Sequence, residues 1–284
     1  MLIFVWSTND HYVIFHLHIP SSPLCHFIES FIYYKGFQPT HSLDRFLPDG
    51  KVNIVIDLAD APQFIYDNDT LEEIQACRYV WFSGIRNNCI TIPSGRDSEM
   101  FIINFHKGKA YPFVQMPLHE LTDTVVDGNL VLTNEILHLR EQLLALPAVP
   151  QKFAYVEKYL KRHFGSRLEP NRCIDFAVSR ILQLPDQLTI EEISRKVGYS
   201  HKHFIQLFRE NVGLTPKAFL KVIRFQKAIR EIEALQKVSW SRVALESGYY
   251  DQAHFINDFK NFSGFTPTQY LAMKNGQLNY IPVA

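Results

Sequence analysis

The chain has 284 residues, 46% of them hydrophobic, with 29 basic and 29 acidic side chains, which suits two packed domains and excludes a largely disordered chain. Charge is uneven: residues 1–169 carry 14 basic and 19 acidic side chains, a net −5, whereas residues 170–284 carry 15 and 10, a net +5. The second part has the sign that attracts a polyanion, although so modest an excess also describes an ordinary solvated surface.

At the N-terminus Leu2-Ile3-Phe4-Val5-Trp6 is apolar but lacks a basic flank and is interrupted by Ser7, Thr8, Asn9 and Asp10. Neither a signal peptide nor a membrane span fits, and a cytoplasmic location is expected. The four cysteines, Cys25, Cys77, Cys89 and Cys173, form no C-x-x-C pair, so reduced thiols are expected rather than a zinc site. His16 and His18, two apart on a strand-like run, would share a face. The carboxylate and histidine spacing of a barrel metal site is absent around them, so no metal or other cofactor is expected. Neither a Gly-x-Ser-x-Gly elbow, a phosphate loop nor His-Glu-x-x-His occurs, and the chain is not expected to be an enzyme.

The first half reads as mostly β. After an Asp49-Gly50 turn signal, residues 51–58 alternate or run apolar, and 79–82, 89–92 and 100–105 follow with Gly, Asn and Pro between them. Short strands so spaced predict a compact barrel or sandwich. Its aromatic residues, Tyr33, Tyr34, Phe46, Trp81, Phe82 and Phe105, with Arg45, Arg78, Arg86 and Arg96 available for an anion, suit a small-molecule pocket or simply a core.

Helical periodicity is expected from near Leu118. In 134–144, Ile136, Leu139 and Leu143 fall at helical spacing and Leu137 and Leu144 extend the stripe; a second amphipathic stretch covers 153–164. Pro147 and Pro150 between them suggest a hinge. The helix pair serves either as a dimer interface or as packed core.

Further on, one supersecondary unit occurs twice. Phe204, Phe208, Gly213 and Thr215-Pro216 recur 51 positions later as Phe255, Phe259, Gly264 and Thr266-Pro267. Each copy follows a Gly-Tyr pair, Gly198-Tyr199 and Gly248-Tyr249, with one residue fewer after the first pair. A short helix precedes each: Thr189 can cap the first, with Glu192 as its capping-box partner, and Ser239 the second, which stops at Gly248. Thr215 and Pro216 open a helix running to about Leu235, roughly 20 residues or about 30 Å long. That nearly matches the about 34 Å of one DNA turn.

These matched motifs, from Ile174 to Met273, resemble the AraC/XylS family of bacterial transcription regulators. The resemblance implies two helix-turn-helix units whose recognition helices enter successive segments of the major groove. In the first half, Phe46-Leu47-Pro48-Asp49-Gly50 with Asn53, Ala110-Tyr111-Pro112-Phe113, and 117–123 resemble an N-terminal module associated with such readers, many of which are cupin-like. The expected fold is therefore α+β: a mostly-β cupin-like sensory domain over 1–133, a helical linker over 134–169 suited to dimerisation, and an all-α double helix-turn-helix domain over 170–284.

If Phe204, Leu207 and Phe208 face inward, Lys202, Gln206 and Arg209 face out, with His203 at the edge. In the second unit Phe255, Phe259 and Phe262 leave Gln252, Ala253, Asn257 and Lys260 outside, with His254 beside them. Gln206, Asn257 and Gln252 suit adenine and Lys202 suits guanine, whereas Arg209 and Lys260 suit phosphates. Lys217, Lys221, Arg224 and Lys227 are expected on the solvent face of the long helix. The expected function is sequence-specific binding of double-stranded promoter DNA, modulated by a small molecule in the N-terminal domain. The alternative gives that domain a protein partner instead. A homodimer and contact with RNA polymerase complete the expectation, with no membrane partner.

Overall fold

The computed structural model describes the chain except Met1, Asn9, Asp10, Gln115, Thr133, Asn134, Leu188, Gln236, Lys237 and Asn275, with residues 2–8, 11 and 12 described by backbone alone. The 133/134 boundary and the start of the linker helix at Asn134 lie outside the described residues. The N-terminal half folds as β1 (Leu2–Thr8), β2 (His11–His18), β3 (Ile28–Lys35), β4 (Leu43–Phe46), β5 (Asn53–Asp57), β6 (Gln63–Tyr66), β7 (Glu73–Cys77), β8 (Val80–Ser83), β9 (Ile90–Pro93), β10 (Glu99–Phe105) and β11 (Val125–Asp127). A seven-stranded sheet has the order β1-β2-β3-β10-β5-β8-β11. A five-stranded sheet is completed by β12 (Tyr280–Pro282), in the order β12-β4-β9-β6-β7.

The runs expected at 51–58, 79–82, 89–92 and 100–105 become β5, β8, β9 and β10. Leu118–Leu121 forms only a 3-10 turn, and β11 intervenes before any helix. Then come α1 (Gly128–Val131), α2 (Glu135–Ala145) and α3 (Val149–Phe164). Ile136, Leu139, Leu143, Phe153, Val156 and Leu160 lie in the same core as Phe31, Phe82 and Phe101 of the seven-stranded sheet, so these helices roof the β domain with their apolar stripe. Leu137 and Leu144 do not extend that stripe; they are 36% and 45% exposed, because each lies about a quarter turn round the helix from it. Pro150, in the first turn of α3, starts a helix where its missing N–H costs nothing.

The C-terminal helices are α4 (Arg172–Gln183), α5 (Ile190–Val197), α6 (His201–Val212), α7 (Pro216–Ala234), α8 (Trp240–Glu246), α9 (Gln252–Ser263) and α10 (Pro267–Met273). From α10 the chain returns to the β domain, where Tyr280 pairs with Phe46 and Ile281 with Arg45. Between the halves Lys109 meets Asp175 at 2.5 Å, beside a cleft of about 570 Å³ lined by Phe27, Tyr111, Asn171 and their neighbours. Among the described residues, no helix is long and apolar enough to cross a membrane.

Candidate nucleic-acid interface

Each helix-turn-helix unit is set by local chemistry. Thr189 accepts from the Glu192 N–H while the Glu192 side chain answers the Thr189 N–H, a complete capping box for α5. Ser200 and Asp251 cap α6 and α9, accepting from the backbone N–H groups of His203 and His254. These two caps lie 51 apart and Gly198 and Gly248 only 50, so the inserted residue is Tyr250. Ser239 stands at the start of α8 but makes no side-chain capping bond. Thr215 caps α7, which ends at Ala234 as its spacing predicts.

Phe204, Phe208, Phe255 and Phe259 are fully buried and Phe262 nearly so. Leu207 is only half-buried, at the border of the inward face. Their burial sets the outward faces: Lys202, His203, Gln206 and Arg209 are exposed on α6, and Gln252, Ala253, Asn257 and Lys260 on α9. Two of these amides are engaged locally. Gln206 donates to Glu210 at 3.0 Å, and the Gln252 carbonyl accepts from Ser241 at 2.8 Å. His254 stays 42% exposed at its side chain but leans on its own helix, its Nε2 3.4 Å from Asp258 and its ring edge-on to Tyr249.

Three of the four α7 cations expected on the solvent face also make contacts with neighbouring elements. Lys221 binds Asp258 of α9 at 3.0 Å, Arg224 donates to the Pro185 carbonyl at 2.8 Å, and Lys227 lies 3.7 Å from Asp186. They tie α7 to both units while Lys221 and Lys227 stay partly exposed, and Lys217 is the most open of the four. The sequence reasoning did not single out Tyr250, which is 91% exposed just before the α9 cap. Its signal was the one-residue difference between the repeats.

The N-terminal domain touches both units where α6 and α9 end. Thr122 Oγ1 donates to the Gly213 carbonyl at 2.7 Å, and the Arg45 guanidinium lies 4.8 Å over the Phe265 ring beside Gly264. Between them Gln226, buried in α7, donates to the Pro48 carbonyl at 2.7 Å and to Asn279 Oδ1 at 2.8 Å. The four arginines expected near an anion do not converge. Arg45 serves Asn68 and Phe265, Arg86 leans on the Asp123 and Thr124 carbonyls, Arg96 binds Pro39, and Arg78 is exposed.

Comparisons with known proteins fall on both halves of the chain. Residues 177–273 match a helix-turn-helix domain, and residues 16–127 match a domain of unknown function, DUF6597. An uncharacterised HTH-type transcriptional regulator of Haemophilus influenzae is 30% identical over 181 residues, covering 61% of this chain and 55% of that protein. The chain thus spans about half the length of that relative. Among solved structures, an apo form of a ToxT variant from Vibrio cholerae is 10% identical at a TM-score of 0.46, covering 86% of this chain and 98% of its own. A Chromobacterium violaceum transcriptional regulator with an AraC-type DNA-binding domain is 24% identical at a TM-score of 0.33, covering 36% of this chain and 90% of its own.

Proposed function

We propose that this chain is an AraC-type regulator with its own N-terminal domain, and that it binds double-stranded promoter DNA sequence-specifically through α6 and α9. The observation that carries the reading is the pair of matched outward faces, 51 positions apart, joined by the 19-residue α7. At about 1.5 Å per residue α7 is about 28 Å long, close to the pitch that separates successive major-groove segments on one side of the duplex. Gln206 and Asn257 read bases, Lys202 reaches guanine, and Arg209 and Lys260 hold phosphates. Gln252 and His203 flank the base-reading positions, Ala253 supplies an apolar contact at the place of Lys202, and His254 supports the helix through Asp258. A small molecule bound by the N-terminal domain sets the activity by favouring one placement of the two units over another. A cytoplasmic homodimer in contact with RNA polymerase completes the proposal.

The test is salt-dependent binding of the full chain to the DNA upstream of its own gene and neighbouring genes. Saturable binding that exceeds random DNA is expected, with Gln206→Ala and Asn257→Ala each losing about 1–3 kcal/mol and relaxing base preference locally. Arg209→Ala and Lys260→Ala should weaken all sequences alike and each reduce the salt slope by about one. Equal binding to every DNA, unchanged in the glutamine and asparagine variants, contradicts the assignment.

A further inference from the structure

The turns that lead into α6 and α9 differ in charge and in what they bury. Residues 195–203 hold Arg195, Lys196 and Lys202 and no acid, whereas residues 245–254 hold Glu246 and Asp251 and neither lysine nor arginine. In the first turn Tyr199 precedes the Ser200 cap, exposed, with its ring edge-on to His203 at 4.8 Å. In the second, Tyr249 is buried and lies edge-on to Phe255 at 5.3 Å, and Trp240 stacks on the same ring. The residue just before a helix cap often closes over the fourth helical residue. Here Tyr249 covers that residue, Phe255, from one position earlier. Tyr250, directly before the Asp251 cap, is left without a packing role and stands almost wholly in solvent.

The start of α9 is apolar where that of α6 is charged. Ala253 occupies the place of Lys202, and both are exposed. The two acids of this turn are engaged, Asp251 in capping α9 and Glu246 with Arg242 at 2.7 Å. His254 leans on the Asp258 carboxylate, and the Gln252 carbonyl is held by Ser241. A phosphate therefore meets no free cation at this end, whereas an apolar group meets an exposed ring and an exposed methyl. The major groove displays one apolar group, the C5 methyl of thymine, and the N-terminal residues of a helix lying in that groove are the ones that reach base edges.

We propose that the start of α9 recognises thymine, with Ala253 against a C5 methyl and the Tyr250 ring against the methyl or sugar of a neighbouring nucleotide. This rests on the regulator reading above and names the base that the second unit selects. Tyr250 belongs to the turn rather than to α9, so it reaches a different nucleotide from Ala253. The first unit has no equivalent pair, since Lys202 replaces the methyl and its turn is one residue shorter. The two sub-sites of one binding sequence are therefore unequal, and only the second depends on thymine methyl groups.

The experiment selects a binding sequence for the full chain from random duplexes and assigns the α9 sub-site as the one whose preference relaxes in Asn257→Ala. Each thymine is then replaced by uracil, which removes only the methyl, and affinity is read by fluorescence anisotropy at constant salt. At one or two thymines of the α9 sub-site uracil should cost about four-fold, the worth of one buried methyl group; in the α6 sub-site it should cost less than about two-fold. Tyr250→Ala should lower affinity about five-fold or more, leave the salt slope unchanged and remove the thymine preference at one position, whereas Tyr250→Phe should keep both affinity and preference. An α9 sub-site without thymine, indifference to uracil throughout it, or a Tyr250→Phe loss as large as that of Tyr250→Ala overturns the proposal. Unchanged affinity in Tyr250→Ala also overturns it, and assigns the ring, with the exposed Leu245, to a protein contact. Failure to select any sequence overturns the regulator reading itself, so the two failures are distinguishable.

Discussion

At the level of single residues, the outward faces of α6 and α9 were legible because a buried phenylalanine leaves little choice about what faces outward. Phe204 and Phe208 turn Gln206 out, and Phe255 and Phe259 do the same for Asn257. Which outward residue would be diverted was not legible, since His254 is captured by Asp258, a buried carboxylate whose position depends on α7. Asp57 gives a prediction of another kind. Burial is the main cause that lifts its carboxyl to about 6, despite a hydrogen bond from Ala59 N–H and the nearby Arg140. The folded protein therefore binds this proton more tightly than the unfolded chain, and stability falls as pH rises from about 4 to 6, by on the order of 2–3 kcal/mol. Asp57→Asn should stabilise the protein at pH 8 and do little at pH 4. Urea midpoints at the two values check this, and an equal effect at both would refute it. Glu157 has the opposite sign. Burial works to raise it, but Lys161, Ser21 and His18 hold it at about 2. Glu157→Gln should cost stability at pH 7, with the difference fading as pH falls through about 4 to 2.

Among the elements, caps discriminate between two sites that look alike in sequence. Thr189→Ala removes a complete capping box and should cost about 1 kcal/mol, whereas Ser239→Ala removes no side-chain bond and should stay within about 0.5 kcal/mol. Thermal melts of the two variants make the comparison. The C-terminal elements were readable because helical caps and apolar spacing are local signals, and they occur twice. The β half was readable only where strands bury apolar residues in sequence, as in β5 and β10. β4 hid because it buries Asp44 and Arg45, whose partners His41, Asn68 and Phe265 are recruited from loops and from the second reading unit. β7 hid because four of its five residues are exposed. No local pattern announces β12, a three-residue strand whose partner lies more than 200 positions away.

At the scale of the whole molecule, the N-terminal domain holds the reader at Gly213, Gln226 and Gly264. Gly213 has φ +97, and a Cβ there would lie 2.5 Å from Ile85 and 3.3 Å from the Leu118 carbonyl. At Gly264, with φ +78, the Cβ would meet only the end of the Arg45 side chain. Both alanine variants carry backbone strain of about 1 kcal/mol or more, but Gly213→Ala must also push packed atoms aside. It should be the more destabilising of the two by denaturant unfolding, and it should loosen the domain interface in hydrogen exchange. With the units held in this way, one molecule should span two successive major-groove segments. The most direct test is to insert 5 base pairs between the two sub-sites of a selected binding sequence, moving them to opposite sides of the duplex. Affinity is expected to drop about ten-fold or more, to the level of either sub-site alone; unchanged affinity would contradict a reader that spans both segments through α7.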